Sequence, residues 1–303
     1  MIYTLTLNPS LDYTLELDQI TLGELNRSEF DHKFPGGKGI NVSQVLNTLN
    51  VNSTTLGFLG GFTGAYIEKQ LTSLGITTDF IPIEEDTRIN VKLKSHLETE
   101  INAKGPQITT ENFTDLKSKM SQLSGQDTLV LAGSIPSSLP STTYEELVKI
   151  VTKNGADVVV DAEGDLLKRV LPFRPLLIKP NQHELGGLFN TTIRTGADAI
   201  PYAKKLIAQG AQHVIVSLAG DGAILVSKDV TLIADVPKGI VKGSVGAGDS
   251  MVAGFISQYQ QGQPLDEAFR FSVATGSATA FSYGLCTKEK IDQLLPEIMI
   301  KKV

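Results

Sequence analysis

The chain has 303 residues, 41% of them apolar and 20% charged, and a formal net charge of -6. That length buries a large core in one big domain or two moderate ones, and the composition excludes a disordered chain. The acidic balance, with no long run of Lys or Arg, argues against nucleic acid or an anionic membrane as partner. Cys286 is the single cysteine, which excludes an internal disulfide and a cysteine-built zinc site.

Ile2 to Leu7 reads as a short strand stopped by Asn8-Pro9. Residues 11–17 and 27–34 alternate apolar and polar, as strands with one wet face do. Phe34-Pro-Gly-Gly-Lys-Gly-Ile-Asn41 is a glycine turn leading into a helix through Leu49. A strand over 51–59 and a helix over 65–74, closed by Gly75, come next. Residues 88–101 alternate again, and with the two earlier runs they predict a small separate sheet. From residue 111 helices and strands take turns: helices at 111–123, 143–153, 182–189 and 197–209, strands at 128–132, 157–161, 176–178 and 213–217. Residues 222–226 and 231–236 look like a terminal hairpin, and helices at 248–261, 265–281 and 287–295 finish the chain.

Short apolar strands alternating with helices predict an α/β fold, a mainly parallel sheet covered on both faces. Ligands of such sheets sit at the carboxyl ends of the strands. Asn8-Pro9, Gly36-Gly37, Gly133-Ser134, Lys179-Pro-Asn181 and Ser217 all fall there. No linker or repeat divides residues 1–303, so one domain carrying the small sheet as an insertion is expected. No apolar segment approaches the ~20 residues of a membrane span, and the N-terminus lacks a secretory signal. A cytoplasmic protein is the expectation.

Val245-Gly-Ala-Gly-Asp-Ser250 precedes apolar residues at helical spacing, Met251, Val252, Phe255 and Ile256. A glycine-rich entry to a buried helix offers bare N–H groups and a dipole that attract an anion. Asp249 beside it suggests a base at the edge of a phosphate site, although it reads equally as the helix N-cap. Lys38 lies among glycines without a Walker A pattern, and reads also as a solvated lysine. Asn181 and Glu184 have the spacing of a capping box, while Glu184 also suits Mg²⁺ held through water. Ser217-Leu-Ala-Gly-Asp-Gly222 is a good turn between strands, and beside a phosphate loop it becomes a nucleotide cradle.

Taken in order, Asn8-Pro-Ser-Leu-Asp12, Gly36-Gly-Lys-Gly-Ile-Asn41, Lys179-Pro-Asn181, Ser217–Gly222 and Val245–Ser250 resemble the signatures of the ribokinase-like sugar kinases, the PfkB family. The resemblance spans the whole chain. It implies a three-layer sandwich with a small β-sheet lid, contributed by about 11–17, 27–34 and 88–101, and a homodimer formed through that lid. It implies ATP and a sugar phosphate as substrates, Mg²⁺, and leaves a monovalent cation open. Within the family, Thr87-Arg-Ile-Asn-Val and Glu98-Thr-Glu-Ile-Asn resemble most the branch that phosphorylates fructose 1-phosphate to fructose 1,6-bisphosphate. The tagatose 6-phosphate branch is the alternative; a non-catalytic sugar-phosphate binder is a more distant one.

The implied roles follow residue by residue. Asp249 is the base, with Gly246, Ala247 and Gly248 as anion hole. Asp12, Gly36, Gly37, Asn41 and Ser134 hold the sugar, and Lys38, Arg88 and Arg27 meet its existing phosphate. Lys179, Asn181, Ser217, Gly220, Asp221, Gly222 and Gly248 line the nucleotide, and Glu184 faces Mg²⁺. Gly243, where the family often has Asn or Asp, and Ala103, in place of an expected glycine, depart from the pattern.

Overall fold

The structure, a computed structural model, describes residues 1–303. Along the chain come β1 (Ile2–Thr6), β2 (Ser10–Glu16), β3 (Phe30–Gly36), α1 (Lys38–Thr48), β4 (Ser53–Gly60), α2 (Gly61–Ser73), β5 (Thr77–Thr78) and β6 (Ile81–Ile83). There follow β7 (Arg88–Lys94), β8 (Glu98–Asn102), α3 (Thr110–Met120), β9 (Thr128–Ala132), α4 (Thr143–Lys153), β10 (Asp157–Asp161), α5 (Asp165–Val170), β11 (Leu177–Ile178) and α6 (Gln182–Phe189). The rest is α7 (Gly196–Ala208), β12 (His213–Ser217), β13 (Ala223–Ser227), β14 (Thr231–Ala234), α8 (Ala247–Tyr259), α9 (Leu265–Ala280), α10 (Lys288–Leu294) and β15 (Ile300–Lys302).

An 11-stranded sheet runs in the order β15-β14-β13-β12-β11-β10-β9-β1-β4-β5, with β6 also paired to β4. From β12 to β5 the pairs are parallel; β13, β14 and β15 add antiparallel strands at one edge. The pleat sends successive side chains to opposite layers, and both layers are covered. Leu129 and Leu131 of β9 join α3, α4, α5, α6 and α7 in one core. Val130 and Ala132 join α1, α8, α9 and α10 in the other. That is the three-layer sandwich expected of strands apolar on both faces.

Three expectations need correction. The hairpin β13–β14 is not terminal, because β15 pairs with β14, placing Ile300 opposite Ala234. A three-residue Ile-Lys-Lys segment carries too little pattern to be read, and its lysines suit a sheet edge. The run 88–101 is two strands, β7 and β8, folded back antiparallel. Arg27 lies before β3, in the 17–29 connection, because regular pairing with β2 begins at Phe30.

The second sheet has the order β3-β2-β7-β8. It is tied to the main body at both ends: β2 follows β1 across Asn8-Pro9, and β3 runs directly into α1. Beneath its root, Leu11 packs with Ile40, Leu59, Ile67, Leu71 and Ile76. No helix is long and apolar enough to cross a membrane.

The chain passes from β1 to β4 on one side and later to β9 on the other. The order therefore reverses beside β1, and ligand crevices open at such points, outside the carboxyl strand ends. The ends of β1, β9, β10 and β11, the root of the small sheet, and the starts of α1 and α8 all surround it.

Candidate active site

The start of α8 is fixed from behind. Met251, Val252, Phe255 and Ile256 are buried, and each is worth roughly 1.5–3 kcal/mol relative to exposure, so the helix cannot slide without a large loss. Gly246 caps it in the left-handed region, with φ 79°. A Cβ there would also lie 2.7 Å from Leu285 Cδ2, so the turn requires glycine. Ser250 Oγ lies 2.8 Å from the Gly246 carbonyl oxygen and 2.6 Å from Thr279 Oγ1, holding the turn from inside.

This turn shows which amides are free. Ala247 N–H donates to the Ser244 carbonyl at 3.2 Å, while those of Gly248 and Asp249 find no backbone acceptor. Of the three amides expected as an anion hole, those of Gly246 and Gly248 are unpartnered and that of Ala247 is not, and Asp249 adds a further free amide. A Cβ at Gly248 would sit 2.8 Å from Lys179 Nζ, so this glycine lets the ammonium lie over the first turn. Positive charge and bare amides converge on one spot.

Asp249 is the third residue of the helix and not its N-cap. It is 5% exposed, and its Oδ2 accepts a 2.8 Å hydrogen bond from Asn41 Nδ2. Burial, and after it the negative charge of Asp161, pushes its pKa up to about 6, against the bond from Asn41 and the charges of Lys38 and Lys179. The two glycine turns thus meet, because α1 and α8 pack in the same layer.

Asp161, the last residue of β10, is the centre of an ion triad that the sequence reading did not single out. It is 2% exposed, with Lys38 Nζ 3.3 Å from Oδ1 and Lys179 Nζ 3.5 Å from Oδ2. Burial works against its ionisation, but Lys179 and then Lys38 outweigh it and hold the carboxyl below its usual range. Burial opposes the Lys38 charge as well; Asp161, Asp249 and Glu184 prevail and raise its pKa. Lys38 therefore points toward the start of α8, and not along the small sheet. The available signal was an acid ending the buried run Asp-Val-Val-Val-Asp, at a carboxyl strand end.

Asn181 and Glu184 do form a capping box on α6. Asn181 Oδ1 accepts from the amides of His183 and Glu184, both at 2.9 Å, and Glu184 Oε2 accepts from the Asn181 amide at 2.8 Å. Burial raises the pKa of Glu184. Asn181 bridges to Ser217, and Gly220, Asp221 and Gly222 form the turn between β12 and β13 beside it. Gly133 and Ser134 follow β9; the Gly133 carbonyl accepts from the Tyr144 hydroxyl at 2.8 Å.

On the small sheet, Asp12 faces the same way as Asn90 and Lys92, because β2 and β7 pair in register. Asp12 Oδ1 accepts from Ser10 Oγ at 2.6 Å and Asn90 Nδ2 at 3.2 Å; Oδ2 lies 2.9 Å from Lys92 Nζ. Gly36 permits this approach, since a Cβ there would lie 2.3 Å from Asp12 Oδ1. Gly37, with φ 122°, is the cap residue of α1. Arg88 donates to the backbone carbonyls of Asn8 at 2.9 Å, Ala103 at 3.0 Å and Pro9 at 3.4 Å. It is a strut between the two sheets, and burial lowers its pKa. Asn90 and Lys92 were also missed; their signal was alternation in step with Arg88 along β7.

Over residues 5–292 the chain matches the pfkB family carbohydrate kinase. It is 51% identical over 303 residues, all of both chains, to the 1-phosphofructokinase of Bacillus subtilis. To the D-tagatose-1-phosphate kinase of Bacillus licheniformis it is 36% identical over 99% of each chain. A solved structure from Staphylococcus aureus, assigned as a phosphofructokinase, superimposes with a TM-score of 0.90 at 47% identity, covering 100% of this chain and 99% of that one. A buried acid at an amide-lined helix start, opposite a glycine turn that carries a lysine, is thus accompanied by full-length likeness, and this chain belongs to the pfkB family of carbohydrate kinases.

Proposed function

We propose that the chain transfers the terminal phosphoryl group of ATP to fructose 1-phosphate, giving fructose 1,6-bisphosphate. The observation that carries this reading is Asp249, buried beside the unpartnered amides of α8, with its pKa raised to about 6. The full-length likeness to a 1-phosphofructokinase selects the acceptor.

Phosphoryl transfer asks a protein mainly for position and for stabilisation of charge. The amides of Gly248 and Asp249, with Lys179 above them, receive the charge on the transferring group. Lys38, held on Asp161, supports it from the other side. An alcohol is far too weak an acid to lose its proton beforehand, so Asp249 accepts that proton as the new O–P bond forms. A positioned base is worth ~10²–10⁴-fold, and a pKa near 6 leaves Asp249 ionised at neutral pH yet more basic than an ordinary aspartate. Asn41 aims the carboxylate, and Asp12 reaches the sugar hydroxyls.

No group of three or more His, Cys, Asp or Glu is arranged to chelate a metal. That suits Mg²⁺, which keeps its water and binds the phosphates with few protein carboxylates. Glu184 keeps Oε1 outside its capping bond, and is the residue that would hold the ion through water. When bound, the ion neutralises phosphate charge. Gly243 offers no side-chain oxygen to a monovalent cation.

The whole chain is read as one kinase domain in which β2, β3, β7 and β8 form a lid. Its outer face exposes Ile89 and Ile101, which suits pairing with a second copy; sedimentation of the purified protein tests this. A cytoplasmic site of action accords with such chemistry.

The test is a coupled assay with ATP and Mg²⁺ against fructose 1-phosphate, tagatose 6-phosphate, fructose 6-phosphate and ribose. Fructose 1-phosphate should give the highest kcat/KM. A higher value for another acceptor overturns the substrate assignment, and no turnover of any of them overturns the kinase reading.

A further inference from the structure

The candidate cations for the phosphate already on the sugar are not equally available. Lys38 is held on Asp161 at 3.3 Å, on the transfer side of the cleft. Arg88 gives three of its five N–H donors to backbone carbonyls, which pin it between the two sheets. Lys92 is different. Its ammonium lies on the sugar-facing side of the lid, 2.9 Å from Asp12 Oδ2 and 3.9 Å from Glu100 Oε1, with the side chain 12% exposed.

Two further details define this cluster. Both Asp12 oxygens are already engaged: Oδ1 by Ser10 and Asn90, Oδ2 by Lys92. Three of the carboxylate's roughly four acceptor positions are therefore taken, and Lys92 leaves Oδ2 only one for a sugar hydroxyl. Asn90, 7% exposed, has its carbonyl oxygen buried with no hydrogen-bond partner. Such an orphan costs free energy in an empty protein, and it is ready for a hydroxyl donor.

We propose that the Lys92–Asp12 ion pair is a specificity latch opened by the acceptor's own phosphate. A phosphate dianion competes for the Lys92 ammonium better than a single carboxylate does, because it carries more charge and more acceptor oxygens. As Lys92 turns to it, Asp12 Oδ2 is released to accept a sugar hydroxyl, and Asn90 takes a neighbouring one. A free sugar has no group to draw Lys92 away and meets an Asp12 whose Oδ2 is half occupied and shared with the ammonium. Lys92 thereby couples recognition of the phosphate to that of the ring. The ligand class is a phosphorylated ketose, and the inference rests on the sugar-phosphate kinase reading above.

The test compares wild type, Lys92→Met and Lys92→Arg, with ATP held saturating and either the preferred hexose phosphate or free fructose as acceptor. Lys92→Met removes the charge and keeps much of the length. It should raise KM for the hexose phosphate roughly 10–100-fold, the worth of one charge-assisted bond. KM for ATP should move little, and KM for free fructose should fall, since Asp12 is then unlatched. Lys92→Arg should restore most of the preference. Melting curves show whether each variant folds; if Lys92→Met does not, Lys92→Gln takes its place. If the preference for the phosphorylated acceptor survives removal of the charge, or both acceptors suffer equally, the latch is overturned. The wild-type acceptor ranking tests the proposed function separately: should another hexose phosphate lead, that ester serves as probe and the latch is still decided.

Discussion

Replacing Asp249 by Asn should change activity and stability in opposite directions. The carboxylate is buried, and burial with Asp161 raises its pKa from the ordinary 3.8 to about 6. A carboxyl whose pKa is raised in the folded state favours folding while protonated. That advantage is full below the unfolded value and is lost as pH rises through about 6. At pH 8 the ionised group costs the fold about 3 kcal/mol, and near pH 5 about half of that. Asn cannot ionise, and its side-chain oxygen can still accept the bond from Asn41. Asp249→Asn should therefore melt higher than wild type at pH 8, by roughly 3–6 °C for a chain of this size. The gain should shrink toward pH 5, while turnover falls at least ~10²-fold through loss of the base. Thermal melts of ligand-free protein at both pH values, with steady-state kinetics, measure this. A variant that melts lower than wild type at both pH values would refute the electrostatic argument, and near-normal turnover would remove Asp249 as base.

Asp161→Ala should be the most damaging single change near the site, since it leaves Lys38 and Lys179 facing each other without their shared anion. About 3–5 kcal/mol of stability should be lost, as read from urea unfolding. Lys38→Met should lower kcat roughly 10²-fold, with a smaller effect on KM for the sugar phosphate, because its ammonium lies toward the transfer site; steady-state kinetics in both substrates separates the two. Gly246→Ala should cost about 1–2 kcal/mol from the left-handed backbone alone, with more from the contact to Leu285, and should slow turnover by tilting the free amides. Denaturation and kinetics of the same preparation check both effects.

Much of this site is legible in the sequence, because glycines, helical apolar spacing and strand alternation are local signals. The turns at Gly36–Gly39 and Gly246–Gly248 announce themselves through residues that lie next to one another in the chain. The lid shows in the alternation of β2, β3 and β7. What stayed hidden is pairing over distance. Asp161 meets Lys38 across 123 positions, and nothing near either residue declares the other. The sequence places Lys38 beside the sugar-holding residues because they are its chain neighbours; the extended side chain crosses to the end of β10. Lys92 looks like one charge among several on an alternating strand until the parallel register of β2 and β7 sets it near Asp12. The C-terminal strand was invisible for another reason, being three residues long and dependent on β14 for its shape.

The raised pKa of Asp249 also bears on how the base behaves once substrates are bound. In the free protein burial and then Asp161 raise it, while Asn41, Lys38 and Lys179 lower it. A bound triphosphate brings negative charge to the same two lysines and draws their field away from Asp249. Loss of that field, together with exclusion of water, raises the pKa further. The carboxylate thus becomes more basic when a hydroxyl stands ready to give up its proton, and Lys38 and Lys179 act as the relay. The profile of kcat/KM reports the free enzyme, and that of kcat the bound complex. The acid limb of kcat/KM for ATP, which reports the site before the triphosphate arrives, should therefore fall near pH 6, and the acid limb of kcat should lie at higher pH. Coincident limbs would show that the lysines keep their hold on Asp249 after ATP binds, and a kcat limb at lower pH would mean that the incoming charge is already neutralised before it reaches the start of α8.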